Sequence, residues 1–131
     1  MTDHINGPIV QLMAMWLYTD AGGLMNEQLL RDFLDEVIMM LDMTVIMPTV
    51  GIRLPIKGYT DIQGKKPKET DYGYSFITMI SESHVALHTW PHFNKAFLEV
   101  ASCKNFDTEK VINLAYKYFH DCSVQVKGLE M

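Results

Sequence analysis

At 131 residues, with 48% hydrophobic and 21% charged residues, the chain is long enough for one domain with a real core and too short for two. A formal net charge of −5 argues against nucleic acid as the main partner. No apolar run reaches the ~18–20 residues that would cross a bilayer, and residues 1–7 lack the basic-then-apolar pattern of a signal peptide. Two cysteines, Cys103 and Cys122, suit a reducing cytoplasm better than a disulfide framework.

Residues 8–18 read as a strand with apolar side chains on both faces, which predicts cover from a helix on one side and another subunit on the other. The ten methionines fit the same picture, as core filler or as part of a surface packed against a second subunit. Thr19 to Gly23 breaks the strand. Asn26 is placed to cap a helix in which Leu29, Leu30, Phe33, Leu34, Val37, Ile38 and Leu41 recur at three- and four-residue spacing. Thr44–Met47 and Val50–Leu54 are two extended pieces split by Pro48, and a polar loop from Pro55 to Tyr72 follows, longer than most connections. Such a loop is a solvated basic segment or a lid. Tyr74–Ile80, His84–Trp90 and Ala96–Ser102 are strands. Asp107 caps a second helix carrying Val111, Ile112, Leu114, Ala115, Tyr118 and Phe119 inward, and Cys122–Val126 is a last strand. The order β-α-β-β-β-β-α-β predicts an α+β fold, a two-layer α/β sandwich of a mostly antiparallel sheet with two helices on one face.

The stretch from Ser81 to Pro91 holds the chemistry. It offers a hydroxyl at Ser83 and imidazoles at His84 and His88, with the thiol of Cys103 following twenty residues after Ser83. His84, His88 and His92 would form a metal-binding stripe on a helix. Pro91 and the β-formers around them favour a strand, where His84 and His88 lie about 13 Å apart, too far to share one ion. No metal is expected. Ser83 has no G-x-S-x-G elbow, so ordinary hydrolase chemistry is disfavoured. Taken alone, Ser83 reads as a turn residue and Cys103 as a small residue at a strand end. His84 is either a hydrogen-bonded, half-buried imidazole or a neighbour of the site.

The run Glu82-Ser83-His84-x-x-x-His88-Thr89-Trp90-Pro91, followed by Cys103, resembles the prokaryotic-type S-adenosylmethionine decarboxylase family. The resemblance implies one domain that cuts itself between Glu82 and Ser83, into 1–82 and 83–131. In such a reaction the Ser83 hydroxyl attacks the Glu82 carbonyl, and elimination from the resulting ester leaves a pyruvoyl group at position 83. The resemblance assigns His88 as the base in that elimination, and imidazoles titrate near neutrality as the role requires. It assigns Ser75, eight residues before Ser83, to processing as well. The mature ketone would form a Schiff base with the substrate amine and draw electrons as carbon dioxide leaves, with Cys103 as the proton donor. Thiols are mostly protonated at neutral pH, as a donor must be. Cys122 has no matching role and is expected in the core.

The resemblance implies a homodimer and decarboxylation of S-adenosylmethionine for polyamine (spermidine) synthesis. His92 stands where the family has a glutamate able to hold ribose hydroxyls, and imidazole is no bidentate anionic acceptor. Trp90 is expected to frame the pocket, while Tyr59, Tyr72 and Tyr74 are candidates for stacking on adenine. Two other readings stand beside this one. The first is a pyruvoyl enzyme for arginine or ornithine, and the second is an unprocessed homologue serving as a binding or regulatory subunit.

Overall fold

Among the described residues, alternation of buried and open side chains in six strands produces a single antiparallel sheet. The computed structural model describes residues 9–56 and 68–131. Along the chain come β1 (Gln11–Tyr18), α1 (Ala21–Leu24), α2 (Glu27–Met40), β2 (Val50–Pro55), β3 (Tyr72–Ile80), β4 (Ser83–Trp90), β5 (Lys95–Ser102), α3 (Thr108–Tyr118) and β6 (Ser123–Glu130). Short 3-10 turns occupy Glu69–Asp71 and Pro91–Phe93. The sheet order is β2-β3-β4-β5-β1-β6, and every neighbouring pair is antiparallel.

The helices start where the sequence predicts. Asn26 Oδ1 accepts the Leu29 N–H at 3.0 Å, and Asp107 Oδ1 accepts the Glu109 N–H at 3.0 Å, each satisfying a donor that the first turn leaves orphaned. α2 buries Leu30, Phe33, Leu34, Val37 and Ile38, and α3 buries Val111, Leu114 and Ala115. They lie on one face of the sheet, against Met13, Met15, Leu17, Phe76, Val85, Leu87, Leu98 and Val100. Phe33 fills the centre, with its ring 5.6 Å from Tyr118 and 5.2 Å from Phe119. Burial of such a ring contributes about 1.5–3 kcal/mol. This is the two-layer α+β arrangement the residue pattern predicts.

The other sheet face carries no layer from the described residues. Val50, Ile52, Leu54, Ile77 and Met79 sit there between 40% and 58% exposed. On β1 the same division holds: Met13, Met15 and Leu17 are buried, while Ala14, Trp16 and Tyr18 look out to the open face half-covered.

Three expectations are corrected. Thr44–Met47 is not a strand, because only Val45 makes a bridge, to Ile80, before Pro48 turns the chain toward β2. Residues after Asp20 do not merely break the chain. Ala21–Leu24 forms a helical turn that seats Leu24 in the core. β3 starts at Tyr72 rather than Tyr74, after a turn in which Asp71 Oδ2 accepts the Lys68 N–H at 2.7 Å. Residues 57–67 of the polar loop, including Gly58, Tyr59, Gly64, Lys65, Lys66 and Pro67, lie outside the described residues, as do residues 1–8.

Candidate active site

β3 and β4 form a hairpin joined by only Ser81 and Glu82, with Ile80 paired to Ser83. Ser83 is exposed, and its φ of 157° is a backbone setting that residues with a Cβ adopt rarely. The β4–β5 register pairs Ser83 with Ser102 and so carries Cys103 opposite Glu82, where the Cys103 N–H donates to the Glu82 carbonyl at 3.0 Å. The spacing of twenty between Ser83 and Cys103 is therefore the length of one hairpin. Cys103 is exposed beside this turn.

A second clamp holds the glutamate side chain. Thr44 N–H donates to Glu82 Oε1 at 3.0 Å, and Ser81 N–H donates to the Thr44 carbonyl at 2.8 Å. The Thr44 bond holds the Glu82 carboxyl below the usual carboxylate range, with help from the Ser81 hydroxyl and against the weaker pull of burial. Both ends of Glu82 are thus fixed. Its carbonyl is polarised by a donor while the Ser83 hydroxyl sits on the next residue, a pairing of nucleophile and activated carbonyl.

His84 stands directly beside Ser83. Its Nδ1 is 3.4 Å from Ser83 Oγ and its Nε2 is 2.9 Å from Glu99 Oε1. An ionised carboxylate only accepts, so Nε2 carries the proton and Nδ1 turns its lone pair toward the hydroxyl. The sequence offers His84 a place beside the site, while Glu99 is just one position within the predicted strand Ala96–Ser102. The missing signal was the β4–β5 register. Thr44 gave no signal, since it acts through its backbone.

A second cluster lies further along β4. Ser75 and His88 are register partners, with Ser75 Oγ 2.9 Å from His88 Nδ1. They open on a cleft of about 290 Å³ lined also by Leu54, Ile56, Tyr74 and Trp90. Beside it the rings of Trp16 and Trp90 lie 5.8 Å apart, and those of Trp16 and Phe97 lie 4.9 Å apart. His88 follows Ser83 by five residues on one extended strand, roughly 16 Å at ~3.3 Å per residue. One chain therefore does not bring Ser83 to His88.

The remaining candidates are dispersed. His92 lies in the turn after β4, at the end of that strand away from Ser83. Tyr72 carries the Arg53 guanidinium 3.8 Å from its ring centre, and Tyr74 stacks on Phe76 at 5.6 Å. Tyr59 falls outside the described residues. Cys122 Sγ lies 3.6 Å from the Ala115 carbonyl, and burial pushes its thiol up. Among the described residues no group of three or more His, Cys, Asp or Glu could hold a metal ion, and no helix is long and apolar enough to cross a membrane.

Comparison with known proteins bears on the whole chain. A family model described as S-adenosylmethionine decarboxylase matches residues 11–130. A segment of 53 residues, 40% of this chain, is 36% identical to an S-adenosylmethionine decarboxylase proenzyme of Pyrococcus horikoshii. Another of 48 residues, 37% of the chain, is 42% identical to the proenzyme of that name from Archaeoglobus fulgidus. An arginine decarboxylase proenzyme of Hyperthermus butylicus is 30% identical over 95 residues, 72% of the chain. These matches span 38%, 40% and 57% of the relatives' own lengths. The crystal structure of adenosylmethionine decarboxylase from Aquifex aeolicus shares the fold, with a TM-score of 0.60 at 15% identity over 92% of this chain and 88% of that one. With all six strands and both long helices inside the matched span, the chain belongs to the S-adenosylmethionine decarboxylase family.

Proposed function

We propose that the chain is a proenzyme that cuts its own Glu82–Ser83 bond and, once cut, decarboxylates S-adenosylmethionine. The observation that supports this most is the hairpin turn, where the Glu82 carbonyl receives the Cys103 N–H and the adjoining Ser83 hydroxyl is exposed. Ser83 Oγ adds to the Glu82 carbonyl carbon, the C–N bond breaks, and the acyl group passes from nitrogen to oxygen as an ester. Removal of the residue-83 Cα proton then expels the Glu82 carboxylate. Water replaces the nitrogen of the resulting enamine, which leaves as ammonia. The Cys103 N–H is placed to stabilise the oxyanion of the first step.

His88 is the base for the Cα proton, with Ser75 fixing its ring. At roughly 16 Å along its own strand it serves Ser83 only from a second copy. The exposed apolar face around Ile52 and Ile77 suits such a copy, which makes the working unit a homodimer with each site completed by its partner. The pyruvoyl group derived from Ser83 supplies a ketone conjugated to an amide, an acceptor for the electron pair left when carbon dioxide departs. Cys103 then delivers a proton to the substrate carbon. The two free thiols, Cys103 and Cys122, suit the cytoplasm.

The aromatic wall of Trp16, Trp90 and Phe97 offers flat apolar surface for adenine and π faces for a sulfonium. Arginine is the second reading, favoured by the relative of that name and by the absence of a carboxylate at His92. Intact mass of the freshly purified, denatured protein tests the first half of the proposal. Fragments 1–82 and a carbonyl-blocked 83–131 are expected, and a persistent single mass favours the unprocessed binding subunit instead. Release of labelled carbon dioxide from S-adenosylmethionine, arginine and ornithine then decides the substrate.

A further inference from the structure

We infer that self-cleavage uses two histidines in sequence, and that His84, held by Glu99, is the one that takes the Ser83 hydroxyl proton in the first step. The inference deepens the proenzyme reading and rests on it.

The geometry supports a relay of hydroxyl, imidazole and carboxylate. Ser83 Oγ, His84 Nδ1, His84 Nε2 and Glu99 Oε1 lie in order, with contacts of 3.4 and 2.9 Å. The first contact is long for a hydrogen bond, as nucleophile–base pairs are before the reacting geometry tightens. Glu99 fixes both the tautomer and the ring orientation, the role of the third member in a nucleophile–base–orienter arrangement. Neither strand beside β4 adds another charge opposite His84, since its register partners are Met79 on β3 and Ala101 on β5. The nearby turn contributes the Glu82 carboxylate, which is turned to Thr44.

The step balances without any added reagent. The Ser83 Oγ–H proton moves to His84 Nδ1 as the Oγ–C bond to Glu82 forms, and the carbonyl electrons move to oxygen. Collapse breaks the C–N bond, and the same proton returns from His84 to the Ser83 nitrogen. His84 therefore ends neutral. Glu99 is a positioning residue, and His88 is left to the later elimination.

Cleavage rates of the full chain, followed by intact mass, test the division. His84→Ala is expected to slow cutting by about 10²-fold or more, and Glu99→Gln by about 10-fold, with Glu99→Asp between it and the wild type. The two steps separate with hydroxylamine, which cuts esters. His88→Ala is expected to accumulate a chain that hydroxylamine splits at 82/83, and adding His84→Ala to it abolishes that sensitivity. Should His84→Ala lose its circular-dichroism signature, Glu99→Gln carries the test through its cutting rate and the partial recovery in Glu99→Asp. His84→Ala cutting within about threefold of wild type overturns the assignment. So does an ester formed at the wild-type rate in the double variant, or a Glu99→Gln chain that cuts at the wild-type rate. A wild-type chain that never cuts overturns the parent reading and this one with it.

Discussion

Cys103 donates its main-chain N–H to the carbonyl oxygen of Glu82 at 3.0 Å, while its thiol is free. On the proposed reading, backbone and side chain of one residue address two different reactions. Cys103→Ala retains the N–H and is expected to cut normally, then to decarboxylate about 10²–10⁴-fold more slowly, read as labelled carbon dioxide. An uncut Cys103→Ala chain beside a cut wild type would move the thiol into the maturation step.

The separation of Ser83 from His88 along β4 leads to a complementation experiment. Ser83→Ala and His88→Ala chains are each expected to stay free of the pyruvoyl fragment. When the two are co-expressed, a His88→Ala chain meets its partner's intact His88 and matures. Mass spectrometry of differently tagged chains reads this directly. If co-expression yields no cut chain, His88 does not act across the dimer.

Ile52 and Ile77 stand 58% and 45% exposed on the uncovered sheet face. Replacing both with glutamate leaves a monomer of near-unchanged stability, since substitutions at exposed sites usually change folding by less than about 0.5 kcal/mol. The same change places charges in any apolar interface built there. The expected product is a folded, monomeric, uncut chain, measured by sedimentation and intact mass. A dimer that survives the double substitution would put the interface elsewhere.

Tyr118 and Glu36 tie α3 to α2, with the hydroxyl donating to Glu36 Oε1 at 2.5 Å and Lys117 Nζ 3.0 Å from Oε2. The Tyr118 hydroxyl first, and Lys117 second, hold the Glu36 carboxyl below its ordinary 4.5. The same bond, followed by burial, pushes the Tyr118 hydroxyl from 10.0 up to about 12. The signs are opposite. The depressed carboxyl adds stability above about pH 4.5 that is lost as pH falls through its folded value, and the raised phenol adds stability below pH 10 that is lost toward pH 12. Tyr118→Phe should lower Tm by a few degrees near neutrality and flatten both flanks of the Tm–pH curve.

Most of this fold was legible because its signals are local. The spacing of Leu30, Phe33, Leu34, Val37 and Ile38, with Asn26 ahead of it, marks a helix in any context. Thr44–Met47 misled because β-propensity cannot say whether an edge is available, and that of β3 is taken by β2 beyond the single Val45 bridge. In the site, the fixed offsets pointed to Ser83, His88 and Cys103, but not to distances between them. The pairing of Glu82 with Cys103 and the contact of His84 with Glu99 both follow from the β4–β5 register, which is a property of two strands together.

The strand order has a further consequence for a chain cut after Glu82. The longer fragment would own β1, β2 and β3, the shorter one β4, β5 and β6, so ownership across the sheet runs long, long, short, short, long, short. β1 of one piece is wedged between β5 and β6 of the other, paired along eight residues on both sides. The two pieces are plaited, and neither can leave without tearing the centre of the sheet. Severed protein would hold its shape kinetically, while reassembly from separated pieces becomes a bimolecular search that dilution slows. The uncut chain is then a folding template, needed once.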